Sequence, residues 1–206
     1  MSTSLLLELF AGFLAACVAL WFVWIDRRPA TLPATGPSPR LTVPDRLRGY
    51  FLGQGAAASL GLLLLRLAIG TMMIHHGQDK LADPATFAAN YVVPLHLPFP
   101  LFLAHVAGYA EVFGSWMLIL GVLAPFGALA LSGTMAVAAY HHILTSGLNL
   151  YVLELVVLYL GGSLALLLIG PGRFSFDAGI VKELSSDEVP AAVYGDGAPE
   201  GAAPGV

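Results

Sequence analysis

Five long apolar segments divide the chain, at residues 5–25, 56–74, 101–123, 125–144 and 150–169. About 20 apolar residues in a helix are enough to cross the hydrocarbon core of a bilayer. Membrane-spanning β-strands are shorter and alternate apolar with polar positions, so the length of these segments favours helices. The pattern predicts an all-α integral membrane protein, in which a four-helix transmembrane bundle follows one extra N-terminal transmembrane helix.

The remaining segments give the predicted domain boundaries. Residues 1–25 are expected to be a retained anchor helix, because the polar start lacks Lys and Arg and the apolar stretch is long for a signal peptide. Residues 26–55 form a Pro-rich linker, in which 45–52 is either a short interfacial helix or a plain loop. Residues 56–178 form the predicted four-helix membrane domain, and the acidic tail at 179–206 is expected to be disordered.

Composition agrees with a membrane location and limits the chemistry. Hydrophobic residues make up 57% of the chain and charged residues 11%, whereas soluble domains carry about 25% charged residues. No basic patch is dense enough to bind nucleic acid. The single cysteine, Cys17, excludes an intramolecular disulfide and a Cys-x-x-Cys redox motif.

The distribution of Lys and Arg predicts the orientation. Five of the nine lie between the first and second apolar segments, and only Lys80 lies between the second and third. Because positively charged loops stay in the cytoplasm, the linker and the tail are predicted to be cytoplasmic and the N-terminus to be outside.

Two charged residues lie deep in the predicted spans. Arg66 and Glu111 are each about 14 Å from the outer end of their segments, at about 1.5 Å per residue. Intramembrane charges are costly and are usually paired or functional, so equal depth predicts an Arg66–Glu111 ion pair. Such a pair can also be purely structural, because buried ion pairs are weak indicators of function.

Histidines and a further acid gather towards the outer ends of the same spans. His76, Glu154 and either His141 or His142 are expected to converge with Arg66 and Glu111 on one polar cavity. The alternative is that each histidine lies at the headgroup boundary and that the charged groups only fix helix register. No Glu-x-x-His or His-Glu-x-x-His spacing is present, which gives little support for a metal site.

Three motifs resemble the DoxX family of small bacterial and archaeal membrane proteins. The first is Arg66-Leu-Ala-Ile-Gly70 followed by His76-Gly-Gln-Asp-Lys80-Leu81. The second is Gly108-Tyr-Ala-Glu111-Val-Phe-Gly114, which continues to Leu118-Ile-Leu-Gly121. The third is Glu154 followed by Gly170-Pro-Gly-Arg173-Phe-Ser-Phe-Asp177. Together they cover residues 60–178. The first apolar segment and the linker lie outside the usual four-helix pattern of that family.

The resemblance implies a prokaryotic plasma membrane and a link to quinone-coupled electron transfer. It favours a quinone-interacting redox subunit over a non-catalytic subunit of a membrane complex, with a small-molecule carrier as the third alternative. Quinone is the expected cofactor, and haem or a metal ion is a further alternative. Expected partners are the lipid bilayer, other subunits through the N-terminal helix, and a second copy of the chain. The candidate catalytic residues are Arg66, Glu111, Glu154 and His76, and the candidate cofactor-binding residues are His141, His142, Lys80 and Tyr109.

Overall fold

The computed structural model describes residues 3–26 and 44–186, and these stretches contain helices and turns without a β-strand. Short π-helical (Ala88–Val92) and 3₁₀ (Val93–Leu95) turns connect the fourth and fifth α-helices. The all-α prediction is confirmed. The α-helices are α1 (Thr3–Asp26), α2 (Asp45–Leu52), α3 (Ala56–Ala82), α4 (Pro84–Phe87), α5 (Pro100–Leu120), α6 (Ala124–Ser146), α7 (Leu150–Ile169) and α8 (Phe176–Ser186).

A bundle of α3, α5, α6 and α7 forms the main body, and α1 packs on α6 and α7. By length and composition, α3, α5 and α7 are long and apolar enough to cross a membrane, and α1 contains a shorter apolar stretch at Glu8–Val23. Helix α6 packs along both α5 and α7. Small or polar residues such as Gly127, Ala128 and Ser132 are buried on it, as expected where helices in lipid approach closely.

Helices α3 and α5 run antiparallel in close contact, and two glycines of α3 set their register. A Cβ atom added at Gly70 would lie 3.0 Å from the Ser115 carbonyl oxygen, and one added at Gly77 would lie 2.9 Å from the Gly108 carbonyl oxygen. The end of the bundle where α3 ends and α5 begins is called the Lys80 end below. The opposite end, where α5 ends and α6 begins, is called the Arg66 end.

This close approach leads to a prediction about helix packing. Gly77→Ala should lower the free energy of unfolding by about 1–3 kcal/mol, because the new methyl group meets α5 backbone in a tightly packed interface. Gly61→Ala on the same helix is the control, since a Cβ atom there meets nothing within 4 Å. Unfolding in detergent should separate the two variants. Equal stability of both would show that α3 and α5 do not pack in this register.

Two of the predicted segment boundaries are wrong. Helix α3 continues from the predicted end at residue 74 to Ala82, so that His75, His76 and Lys80 all belong to it. Helix α5 ends at Leu120 instead of residue 123, because Gly121 and Leu123 adopt left-handed conformations with φ of 68° and 49°. The extension of α3 brings Gly77 and Lys80 into the part of the helix that packs on α5.

Two short helices pack together at the Arg66 end. Residues 45–52 form the helix α2, so the plain-loop alternative is wrong, and α2 contacts α8. Helix α8 includes residues 179–186, so the predicted disordered tail is wrong for that stretch. The predicted tail at 187–206 and the linker at 27–43 lie outside the described residues.

Candidate functional site

Arg66 lies at the Arg66 end and does not pair with Glu111. Its side chain is fully buried. The guanidinium donates to the carbonyl oxygen of Leu118 at 3.3 Å and to that of Phe174. The predicted ion pair is wrong because Gly77, not Arg66, lies opposite Glu111. Positions 66 and 77 are separated by about 16 Å along a helix with a rise of about 1.5 Å per residue.

Asp177 joins the C-terminal helix to the turn between α5 and α6. Its two carboxylate oxygens accept hydrogen bonds from the backbone N–H groups of Leu123 and Ala124, at 2.8 and 2.9 Å. Its own N–H donates to the Gly121 carbonyl at 2.9 Å. Arg66 is near enough for the two charges to attract each other. The Arg66–Asp177 cluster therefore holds three parts of the chain together.

The segment between α7 and α8 is tied to the start of the bundle by further polar contacts. The Tyr50 hydroxyl donates to the Leu167 carbonyl at 2.7 Å. The Arg173 N–H donates to the Ser59 hydroxyl oxygen at 3.2 Å. Gly170 has φ of 96°, and a Cβ atom there would lie 2.7 Å from the Tyr50 carbonyl oxygen. The Gly-Pro-Gly-Arg motif thus has a structural role in closing this end.

At the Lys80 end, Lys80 forms an ion pair with Glu111. The ammonium group contacts both carboxylate oxygens. The Glu111 side chain is fully buried, and that of Lys80 is 17% exposed. Thr134 of α6 lies beside the carboxylate. The pair therefore connects α3 to α5 next to α6, with Lys80 as its partly accessible member.

Aromatic side chains continue this polar site towards α6. The Lys80 ammonium lies 5.3 Å from the centre of the Phe87 ring. Phe87 stacks on Tyr91 with ring centroids 5.0 Å apart, and Tyr91 lies 5.2 Å from the His141 ring. His141 is 7% exposed, and neither of its buried ring nitrogens has a partner within hydrogen-bond geometry, although the backbone of Asn90 is close. The candidate site consists of the side chains of Lys80, Glu111, Phe87, Tyr91 and His141, with that of Thr134 beside the Glu111 carboxylate.

The connection at residues 84–95, called the cap segment below, positions Phe87 and Tyr91. It begins where the Asp83 carboxylate accepts a hydrogen bond from the Thr86 N–H at 3.0 Å, and this bond lowers the pKa of the Asp83 carboxyl. Ala88 and Val92 are buried against Ala104 of α5. The π-helical turn Ala88–Val92 is a feature found frequently at functional sites.

The other predicted site residues occupy different surroundings. His76 is partly buried, and its ring lies 6.0 Å from that of Tyr159. His142 lies 5.5 Å from the His141 ring. Tyr109 is 50% exposed and stacks between His105 and Phe113. Glu154 is exposed, so the predicted convergence is wrong for Glu154 as well as for Arg66.

Phe87, Tyr91 and Thr134 belong to the site but are absent from the residues predicted for it from the sequence. Phe87 and Tyr91 are four residues apart, the spacing of neighbours on one helical face, and that spacing is the signal which the sequence contained. Within residues 3–26 and 44–186, no three or more His, Cys, Asp or Glu side chains are grouped as metal ligands.

The fold and the site define a class: a multi-pass helical membrane protein with a buried ion pair at one end of its bundle. Residues 61–143 match the DoxX family. An uncharacterized protein of Haemophilus influenzae is 32% identical over 139 residues, which cover 63% of this chain and 89% of that protein. No solved structure matches significantly. The chain belongs to the DoxX family.

Proposed function

We propose that the protein is a quinone-interacting redox subunit of a membrane complex, and that a quinone headgroup binds at the Lys80 end. The observation that carries the proposal is the group around His141. The His141 imidazole is buried, only the backbone of Asn90 is close to its ring nitrogens, and its ring contacts that of Tyr91. Tyr91 stacks on Phe87, and the Phe87 ring lies 5.3 Å from the ammonium of the Lys80–Glu111 pair. Buried polar groups normally have partners, so a ligand that supplies one accounts for this arrangement.

The side chains fit the chemistry of a quinone. Conversion of a quinone to a quinol takes up two electrons and two protons at the two carbonyl oxygens. In the proposal, a redox partner of the complex supplies the electrons, and Lys80, Glu111 and His141 hydrogen-bond the oxygens and exchange the protons. Phe87 and Tyr91 offer apolar faces to the ring. A quinone has an apolar ring with two polar oxygens, which matches the mix of aromatic and few polar side chains typical of small-molecule sites.

The proposal is tested by comparing quinone binding in a site variant and in a matched control variant. A water-soluble short-chain quinone is titrated into the purified protein in nanodiscs, and binding is measured by calorimetry. Glu111→Gln should weaken binding about 10- to 100-fold, the effect of losing a hydrogen bond to a charged group. Glu154→Gln is the matched control, because Glu154 is exposed in α7. Unchanged affinity in the folded Glu111→Gln variant would refute quinone binding at this site.

A non-catalytic subunit is the second candidate, and one observation favours it. Helix α1 packs on α6 and α7 and leaves the large apolar side chains Leu9, Leu20 and Phe22 more than half exposed. We propose that this surface contacts other subunits or a second copy of the chain. In this case Lys80 and Glu111 only fix which helices meet. Full assembly of the complex by Glu111→Gln, together with absence of quinone binding in the parent, would favour this candidate.

We propose a topology in which α1, α3, α5, α6 and α7 cross a prokaryotic plasma membrane, with the N-terminus outside and the C-terminus in the cytoplasm. The Lys- and Arg-rich linker supports this orientation, and the contact between α2 and α8 agrees with a shared side for the linker and tail. Reporter fusions at Thr3 and Ala202 are expected to give an outside signal for the first and a cytoplasmic signal for the second. An outside signal at Ala202 would contradict the proposed topology.

A further inference from the structure

Helix α8 carries an exposed apolar stripe on one side. Phe176, Ile180 and Leu184 are spaced four residues apart and are 61%, 56% and 51% exposed. Residues with this spacing lie on one face of a helix. Ala178 is 1% exposed and lies about 160° around the helix from Ile180, and Asp177 is buried at the edge of the stripe. More than half of each stripe side chain therefore lies outside the contact between α8 and the bundle.

The contacts of α8 fix its level at the Arg66 end. Asp177 binds the backbone N–H groups at the start of α6, and Arg66 binds the Phe174 carbonyl just before α8. Helix α7 ends at Ile169, a few residues earlier. Because α7 is long and apolar enough to cross a membrane and its length of about 30 Å equals the thickness of the hydrocarbon core, its end is expected at the boundary between hydrocarbon and headgroups. Helix α8 lies at that boundary.

The outer surface of the bundle at this level is apolar as well. Leu120, Leu123 and Phe126 at the turn between α5 and α6 are 46%, 52% and 59% exposed. Such side chains at the end of a spanning helix face lipid. The turn that carries them is hydrogen-bonded directly to Asp177 of α8. The stripe on α8 is thus adjacent to a second exposed apolar surface, at the turn between α5 and α6.

Two exposed basic side chains lie away from the stripe, one on the other side of α8 and one just before the helix. Lys182 is exposed and lies about 160° around the helix from Ile180, at about 100° per residue. Arg173 is also exposed, three residues before α8. Helices that lie in a membrane interface bury apolar side chains among the acyl chains and direct Lys and Arg to the lipid phosphates.

We infer that α8 is an interfacial helix, which inserts Phe176, Ile180 and Leu184 into the headgroup–acyl boundary of the leaflet at the Arg66 end. The stripe is covered by the lipids of this leaflet. Lipid is favoured over a protein partner because the stripe adjoins the exposed apolar turn between α5 and α6 at the end of the bundle, and because exposed basic residues lie on the other side of α8 and just before it. This role is independent of quinone binding, since α8 and the Lys80–Glu111 pair lie at opposite ends of the bundle.

Fluorescent labels on single cysteines test the inference. The background is Cys17→Ala, which removes the one native cysteine. Ile180→Cys and, as the matched control on the same helix, Lys182→Cys are labelled with an NBD fluorophore. The full chain is placed in nanodiscs of phosphatidylcholine and phosphatidylglycerol, in which both membrane faces are accessible. Each label is then quenched by lipids with a nitroxide near the headgroup or by aqueous iodide.

We expect the label at position 180 to be quenched several-fold more by the nitroxide lipid than the label at 182, and several-fold less by iodide. Equal iodide quenching at both positions would overturn the inference, because the stripe would then face water. Protection from iodide without nitroxide quenching would also overturn it, since a protein surface would then cover the stripe. The thermal unfolding of each labelled variant confirms that α8 stays folded.

Discussion

Replacing Lys80 with methionine is expected to lower the free energy of unfolding by about 3–5 kcal/mol, as removal of one partner from a buried ion pair does. The carboxylate of Glu111 is fully buried, and without Lys80 its charge has no opposite charge beside it. Methionine keeps a flexible apolar chain of similar length, so the packing against Phe87 is largely retained. The measurement is unfolding of the purified protein in detergent or nanodiscs.

Two controls separate this effect from a general loss at the Lys80 end. The double variant Lys80→Met/Glu111→Gln removes both charges and should regain most of the lost stability. Replacing both members of a buried ion pair with uncharged residues often changes the free energy of unfolding little. Asp79→Asn breaks the exposed His75–Asp79 contact one residue away, where the side chains are 76% and 65% exposed. That change should lower the free energy of unfolding by about 0–1 kcal/mol. Equal losses in Lys80→Met and Asp79→Asn would contradict a buried pair.

Asp177→Ala should also be strongly destabilising. It leaves the backbone N–H groups of Leu123 and Ala124 without their acceptor, and each unsatisfied buried group costs about 1–3 kcal/mol. It further removes the negative charge near the buried Arg66. The loss should appear in global unfolding and in faster amide exchange across α8.

The matched variants for Asp177 are on the same helix. Asp177→Asn keeps one acceptor oxygen and the shape but removes the charge, so it should lose less stability than Asp177→Ala. Glu183→Ala changes an exposed carboxylate of α8 and should stay within about 0.5 kcal/mol of the parent. If Asp177→Ala matched Glu183→Ala, α8 would not be held by this carboxylate.

The apolar pattern along the chain is sufficient to predict the five long helices, but not their register or the short helices α4 and α8. Helix α7 begins and ends where predicted, because Asn149 caps its start and Gly170 turns the chain at its end. Helix α3 begins where predicted but ends later, because the polar stretch from His75 to Lys80 resembles the end of a span in the sequence. In the structure these residues continue the helix, and Lys80 replaces Arg66 as the partner of Glu111.

Side-chain direction explains the other differences at the candidate site. Glu154 has the predicted depth in α7 but an exposed position, and depth alone does not determine which way a side chain points. Phe87 and Tyr91 belong to a connection that showed no periodic pattern over its length, so their contact with His141 depends on tertiary packing. His141 and Glu111 were predicted as site members, and the structure places them at the same end with Lys80.

Mapping the position of a bound quinone tests the central proposal most directly. The protein in nanodiscs is illuminated with an azido-quinone, and the labelled peptides are identified by mass spectrometry. The account predicts labels on the cap segment or on α6 near His141, with competition by unmodified quinone and a loss of labelling in Glu111→Gln but not in Glu154→Gln. Labels confined to the outer surfaces of the helices, unaffected by either competitor or Glu111→Gln, would contradict it.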